Sequence, residues 1–123
     1  MKKNIVLEKS FLLAIDIVHL VRTLTKDREY VISKQLLKCG TSIGANIEEA
    51  LSAESKKDFL HKLLIATKEA RETAYWLRLL QATGQRQTKN MPEILAKNDE
   101  VLKLLMSITK TLKTKLNPPP PNS

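Results

Sequence analysis

The chain's two histidines each stand three residues after an aspartate, pairing Asp16 with His19 and Asp58 with His61. On a helix an acid and a histidine at that spacing share a face, and bundles that hold two metal ions use such pairs together with single carboxylates from two further helices. The apolar register opposes this reading. Taking Leu7, Ala14 and Val21 as one heptad position puts His19 near the outer face, and Phe59, Ala66 and Thr73 likewise put His61 outward, in line with Lys68 and Tyr75. Asp58 fits better as an acid at a helix start, where the helix dipole favours it. A Gly-rich phosphate loop, a Ser/His/Asp arrangement and metal-spaced cysteines are absent from the sequence. Neither an enzyme activity nor a metal or other cofactor is expected.

Two other sets of residues carry polar chemistry. Asn46 falls on an apolar seam and Glu49 and Glu72 border theirs, positions where a polar group is costly unless it is hydrogen-bonded. The expectation is a structural network of Asn46, Glu49 and Glu72 that fixes helix register, with a ligand site lined by these residues and Glu69 as the alternative. The second set is basic. Arg71 and Arg78, seven apart, share one outer stripe, with Lys68 and Tyr75 on the adjoining one, and Lys103 and Lys110 repeat that spacing on the last helix. Lys68, Arg71, Arg78, Lys103 and Lys110 are therefore the candidate phosphate contacts. Tyr75 and Trp76 lie beside Arg71 and Arg78 and could stack on bases. Trp76 is nearer the seam, so burial in the core or in a subunit contact is expected for it.

Four helices must position these residues. Leu36, Cys39, Ile43, Asn46, Ala50 and Ala53 recur at alternating spacings of three and four, the mark of a bundle seam, on a helix that begins near Tyr30. Gly40 and Gly44 lie one turn apart within it. Each costs about 1 kcal/mol against Ala in a helix interior, so close approach of a neighbouring helix is the expected compensation. Ser55 caps the next helix, with Asp58 in the capping-box position, and Phe59, Leu63, Ala66, Ala70, Thr73, Leu77 and Leu80 form its seam. The short connection makes these two helices an antiparallel pair.

The first helix should run over residues 5–24 after Asn4 as cap, with one stripe of Leu7, Phe11, Ala14, Val18 and Val21 and another of Leu13, Ile17, Leu20 and Leu24. Leu12 and Ile15 fall outside both stripes, and a neighbouring subunit would cover them. Residues 25–29 form a polar turn, and residues 82–89 a loop with Gly84 as helix stop. Asn90 and Glu93 match a capping box around Pro92, and the last seam is Ile94, Asn98, Val101, Leu105, Ile108 and Leu112. Lys97, Lys103, Lys110, Lys113 and Lys115 stay on or near its polar side. The whole reads as an all-α, up-down-up-down antiparallel four-helix bundle over residues 1–116. Residues 117–123 read as a disordered Pro-rich tail, since consecutive prolines cannot continue a helix.

With 123 residues the chain has room for one domain with a real core. Lys and Arg number 21 against 13 Asp and Glu, a net charge of +8 that calls for an acidic partner, nucleic acid ahead of acidic protein or membrane surface. No apolar run approaches the roughly 18 residues that cross a bilayer. The opening MKKNIVLEKSFLLAIDIVHLV sets two lysines before apolar residues as a signal peptide does, but Glu8, Lys9, Ser10 and Asp16 break the apolar region, so it reads as the first helix. A lone Cys39 cannot form an intramolecular disulfide and fits a small buried hydrophobe in the reducing cytoplasm.

SIGANIEEA at 42–50, SKKDFLHKL at 55–63, KEARET at 68–73 and YWLRLL at 75–80 together resemble the four-helix-bundle family named after proteins encoded in intervening sequences of bacterial 23S ribosomal RNA genes. The resemblance covers about residues 9–112 and is most specific over 42–80. Gly44 stands where many members have Pro, and Ala50 where many have Gly; both residues fit inside a close-packed helix, so neither departure breaks a bundle. Asn46, Glu49 and Glu72 match polar positions of the family pattern. The resemblance implies a bundle assembled as a homopentameric ring. Related small basic bundles serve as accessory proteins of diversity-generating retroelements, assisting a reverse transcriptase and its RNA. The functional expectation is thus a non-enzymatic basic homo-oligomeric scaffold that binds structured RNA or an RNA–protein complex. The alternative is a protein-binding adaptor, for instance of a reverse transcriptase, whose basic surface meets an acidic patch.

Overall fold

The computed structural model describes residues 4–84 and 90–121. It contains α1 (Ile5–Lys26), α2 (Val31–Ala50), α3 (Lys56–Ala82) and α4 (Met91–Leu116), with no strand among the described residues. Each helix packs against the next and α4 closes against α1, leaving α1 and α3, and α2 and α4, on the diagonals. This is the expected four-helix bundle. Residues 85–89 of the expected loop and residues 122–123 of the expected tail lie outside the described residues.

Local chemistry accounts for the helix ends. The Asn4 side-chain oxygen accepts from the Leu7 amide at 3.0 Å, and the Ser55 hydroxyl oxygen accepts from the Asp58 amide at 3.0 Å. Asn90 was expected to act in the same way and does not: its backbone, at φ −96 and ψ 10, is not extended, and its side chain makes no cap bond. Pro92 still occupies the first turn of α4. α1 runs two residues past its expected end, and Arg28, with φ 64, then reverses the chain. The Glu29 carboxylate receives the Ile32 amide at 3.0 Å and so serves the start of α2. Gly84, at φ 69, follows α3 as the expected stop.

The core is built from Leu13, Ile17 and Leu24 of α1, Leu36, Ile43 and Ile47 of α2, Leu63, Leu77 and Leu80 of α3, and Met91, Val101 and Leu105 of α4. The seams differ from expectation at several positions: on α4 Thr109 is buried where Ile108 is expected, and on α1 Leu7, Ala14 and Val18 of the expected stripe are only half-buried. Val6 and Ser10, with Leu13, Ile17, Leu20 and Leu24, set the inner face of α1, and at 100° per residue this carries Phe11 to the far side, where it is 65% exposed. On α2, Ile47 takes the seam position expected for Asn46, which is only half-buried. On α3, Leu60 is buried where Phe59 was expected, and Phe59 packs at the margin.

The α2 glycines lie against α1. A Cβ on Gly40 would come within 2.5 Å of Ile17 Cδ1, and one on Gly44 within 3.2 Å of Ser10 Oγ. Cys39 is buried, and that burial above all pushes its thiol pKa up, as suits a packing residue. Between α3 and α4, the Asn98 side chain, 1% exposed, donates through Nδ2 to the Ala70 carbonyl at 3.0 Å.

Candidate nucleic-acid interface

α3 and α4 run antiparallel side by side, and each turns a basic pair at three-residue spacing toward the other: Lys68 and Arg71 on α3, Lys110 and Lys113 on α4. Between them lies a groove of about 640 Å³, lined by these four residues with Leu64, Thr67, Met106, Thr109 and Thr114. No carboxylate lines it. Thr67 and Thr109 donate their hydroxyls to carbonyls of their own helices, Leu63 at 2.8 Å and Met106 at 3.2 Å. Thr67 and Thr109 are buried and form the floor, while half-buried Leu64 and Met106, 44% exposed, add apolar surface to the walls.

A second groove, of about 580 Å³, continues along the same two helices and is lined by Arg71, Ala74, Arg78, Gln81, Leu95, Asn98, Asp99 and Leu102. Arg71 borders both grooves. Arg78 borders only the second, and its Nε donates to the Ala74 carbonyl at 3.3 Å. Lys103 lines neither groove and pairs with Asp99 at 3.0 Å. Of the five basic residues singled out from the sequence, Lys68, Arg71 and Lys110 therefore come together, while Arg78 and Lys103 lie beside an acid. Lys113 completes the first groove, whereas by sequence alone it belongs only to the polar side of the last helix. Its signal is the Lys110-x-x-Lys113 spacing, which mirrors Lys68-x-x-Arg71.

The polar residues near the α2 and α3 seams are arranged differently from the expected network. Asn46 donates to the Ser42 carbonyl of its own helix at 2.8 Å, Glu49 pairs with Lys62 at 3.7 Å, and Glu72 accepts from the Trp76 indole at 3.5 Å. Among the described residues no hydrogen bond joins the three, because Ile47 occupies the seam and Glu49 and Glu72 face outward. Glu72 is instead coupled to Glu69. Partial burial first, and then the Glu72 carboxylate, push the Glu69 pKa up, while Lys68 and Lys38 pull it down.

His19 and His61 are both exposed, as the register implied, and the helices that carry them stand on a diagonal. Asp16 pairs with Lys97 at 2.6 Å, a contact that raises the Lys97 pKa. Among the described residues no three His, Cys, Asp or Glu side chains gather closely enough to hold a metal ion. Tyr75 is exposed and meets Trp76 edge to face, with ring centroids 5.1 Å apart, while Trp76 packs at the margin of the core. No helix among the described residues is long and apolar enough to cross a membrane.

Comparison with known proteins agrees with this architecture. A crystal structure of a protein of unknown function from the S23 ribosomal protein family of Bacteroides thetaiotaomicron is 48% identical in sequence, with a TM-score of 0.80, covering 85% of this chain and 98% of that one. No curated protein matches. The family model described as 23S rRNA-intervening sequence protein matches residues 2–107, nearly the whole bundle. The chain therefore belongs to the 23S rRNA-intervening sequence protein family.

Proposed function

We propose that the protein is a non-enzymatic basic scaffold of the cytoplasm that binds structured RNA, or an RNA–protein complex, through the face shared by α3 and α4. The observation that carries this reading is the groove bordered by Lys68, Arg71, Lys110 and Lys113 with no carboxylate in its lining. Within a chain of net charge +8, it concentrates positive potential where phosphates can reach it. The family name, which refers to ribosomal RNA, supports the same partner. A reverse transcriptase that acts on such an RNA is a fitting protein component of the complex.

Binding is expected to be salt-dependent and tolerant of sequence, because phosphates rather than base edges supply the attraction. Reversing Arg71 and Lys110 together to Glu should weaken binding to unrelated structured RNAs by about tenfold or more at low salt and flatten the salt dependence. Fluorescence anisotropy across a salt series measures both effects. Wild-type protein that binds no RNA even at low salt would replace this reading with that of a protein-binding adaptor, for which the apolar side chains of Leu64 and Met106 speak.

The scaffold is proposed to be a homo-oligomer, a ring of five as the family resemblance implies. On the outer side of α1, Phe11, Leu12 and Ile15 are 65%, 57% and 38% exposed, an apolar strip that a second copy would cover. Light scattering at micromolar concentration should give a mass several times the 13.9 kDa of one chain. Replacing Phe11 and Leu12 with Lys should reduce that mass without unfolding the bundle, since neither side chain belongs to the core. A clean wild-type monomer would remove the ring.

A further inference from the structure

We infer that the groove between α3 and α4 takes an unpaired RNA strand, its phosphates on Lys68, Arg71, Lys110 and Lys113 and a base against Leu64 and Met106; this rests on the RNA-binding reading above. The two rims belong to helices in direct contact. Packed helices have axes about 8–10 Å apart, so the furrow between them is narrower than a nucleic-acid duplex. A duplex could touch the rims only from above. A single strand can enter, set its phosphates against cations on both sides and place a base against the apolar side chains of the walls.

The apolar part of the lining favours that occupant. Phosphate alone gains nothing from Leu64 or from the exposed side of Met106, whereas the face of a base gains apolar contact and a polarizable thioether. Arg71 stands at the end of the groove, where its planar guanidinium can lie against a base as well as pair with phosphate. From Met106 to Thr114 the α4 rim spans about 12 Å at the helical rise, enough for roughly three stacked nucleotides at single-strand spacing. Asp99 marks the other limit. It lies in the adjoining groove and pairs with Lys103, so a phosphate path continuing past Arg71 would meet a carboxylate and a cation already engaged.

The test compares a fluorescently labelled 12-nucleotide oligouridine with a 12-base-pair RNA duplex, both titrated by anisotropy at low salt. Circular dichroism confirms the fold of each variant. The single strand is expected to bind about tenfold more tightly than the duplex. Met106→Ser should weaken the single strand about fivefold and leave the duplex unchanged, since it removes the apolar contact without altering charge. Arg71→Lys should cost the single strand about threefold at constant charge. Reversal of Lys68 and Lys110 to Glu should weaken single-strand binding far more than reversal of Arg78 and Lys103. Equal affinity for both RNAs with Met106→Ser silent would overturn the groove inference and leave RNA binding in place. Failure of wild-type protein to bind either RNA would overturn the RNA-binding reading itself.

Discussion

Replacing Asn98 with Asp is expected to destabilise the bundle by about 3 to 5 kcal/mol at pH 7, and acidification should recover part of the loss. Asn98 is 1% exposed, its Nδ2 donates to the Ala70 carbonyl at 3.0 Å, and its Oδ1 is buried without a partner among the described residues. An ionised aspartate there would replace the donor with a negative oxygen facing the Ala70 carbonyl. Burial raises the folded-state pKa of such a carboxyl above its unfolded value near 4. The deficit therefore grows by about 1.4 kcal/mol per pH unit from the unfolded pKa up to the folded one, and shrinks again as pH falls. Urea denaturation at pH 7 and pH 5 reads the difference directly. Asn98→Leu provides the contrast, because it removes the unpartnered oxygen together with the donor and should change stability by less than about 1.5 kcal/mol. A small, pH-independent loss in Asn98→Asp would mean that water reaches this position.

The second large effect lies between α1 and α2. Gly40→Val should cost about 3 kcal/mol despite replacing a poor helix former, because its branched side chain must enter space already filled by Ile17. Even a single Cβ at Gly40 would stand 2.5 Å from Ile17 Cδ1 and 3.0 Å from Ile17 Cγ2. The δ-methyl lies at the end of the side chain and can rotate away, but the γ-methyl is fixed to the branched carbon of a fully buried residue. Gly44→Ala meets only Ser10 Oγ at 3.2 Å and should lie within about 1 kcal/mol of wild type, as gained helix propensity offsets the contact. Ile17→Ala combined with Gly40→Val should be less destabilised than the two single changes added together, and thermal or urea unfolding of the four proteins measures that coupling. Strict additivity would show that α1 moves aside rather than clashing.

Much of the bundle was legible because it depends on local chemistry. Asn4 and Ser55 cap as their side chains predict, Gly84 stops α3, and the seams of α3 and α4 hold at most positions. Errors fell where two neighbouring residues compete for one inward place. Asn46 and Ile47 both border the α2 seam, and the apolar one takes it; Phe59 yields to Leu60, and Phe11 yields to the stripe through Ser10. Asn90 and Glu93 have the composition of a capping box, but the backbone before α4 lacks the extended geometry that capping requires. The basic groove was half visible. Each helix reveals its own charged stripe by spacing, but which stripe of α3 faces which stripe of α4 follows from interhelical register, and Asn98 bonded to Ala70 is a buried expression of that register.

The junction of α1 with α4 is the sparsest of the four helix pairings, and Lys9 with Glu100 and Asp16 with Lys97, each at 2.6 Å, are ion pairs near solvent along it. Such pairs contribute about 0–1 kcal/mol each and weaken with salt. The Asp16 to Lys97 contact spans 81 residues, whereas α2 meets α3 across a short turn. On the way to the native state, the middle hairpin can therefore form early, while closure of the first helix on the last must wait until nearly the whole chain has been gathered. In the native ensemble the same junction offers the least costly partial opening, a transient unzipping in which α4 loosens from α1 while remaining against α3. Amide protons on the α1-facing side of α4 would then exchange with solvent sooner than those shared by α2 and α3, leaving the basic groove intact during the motion.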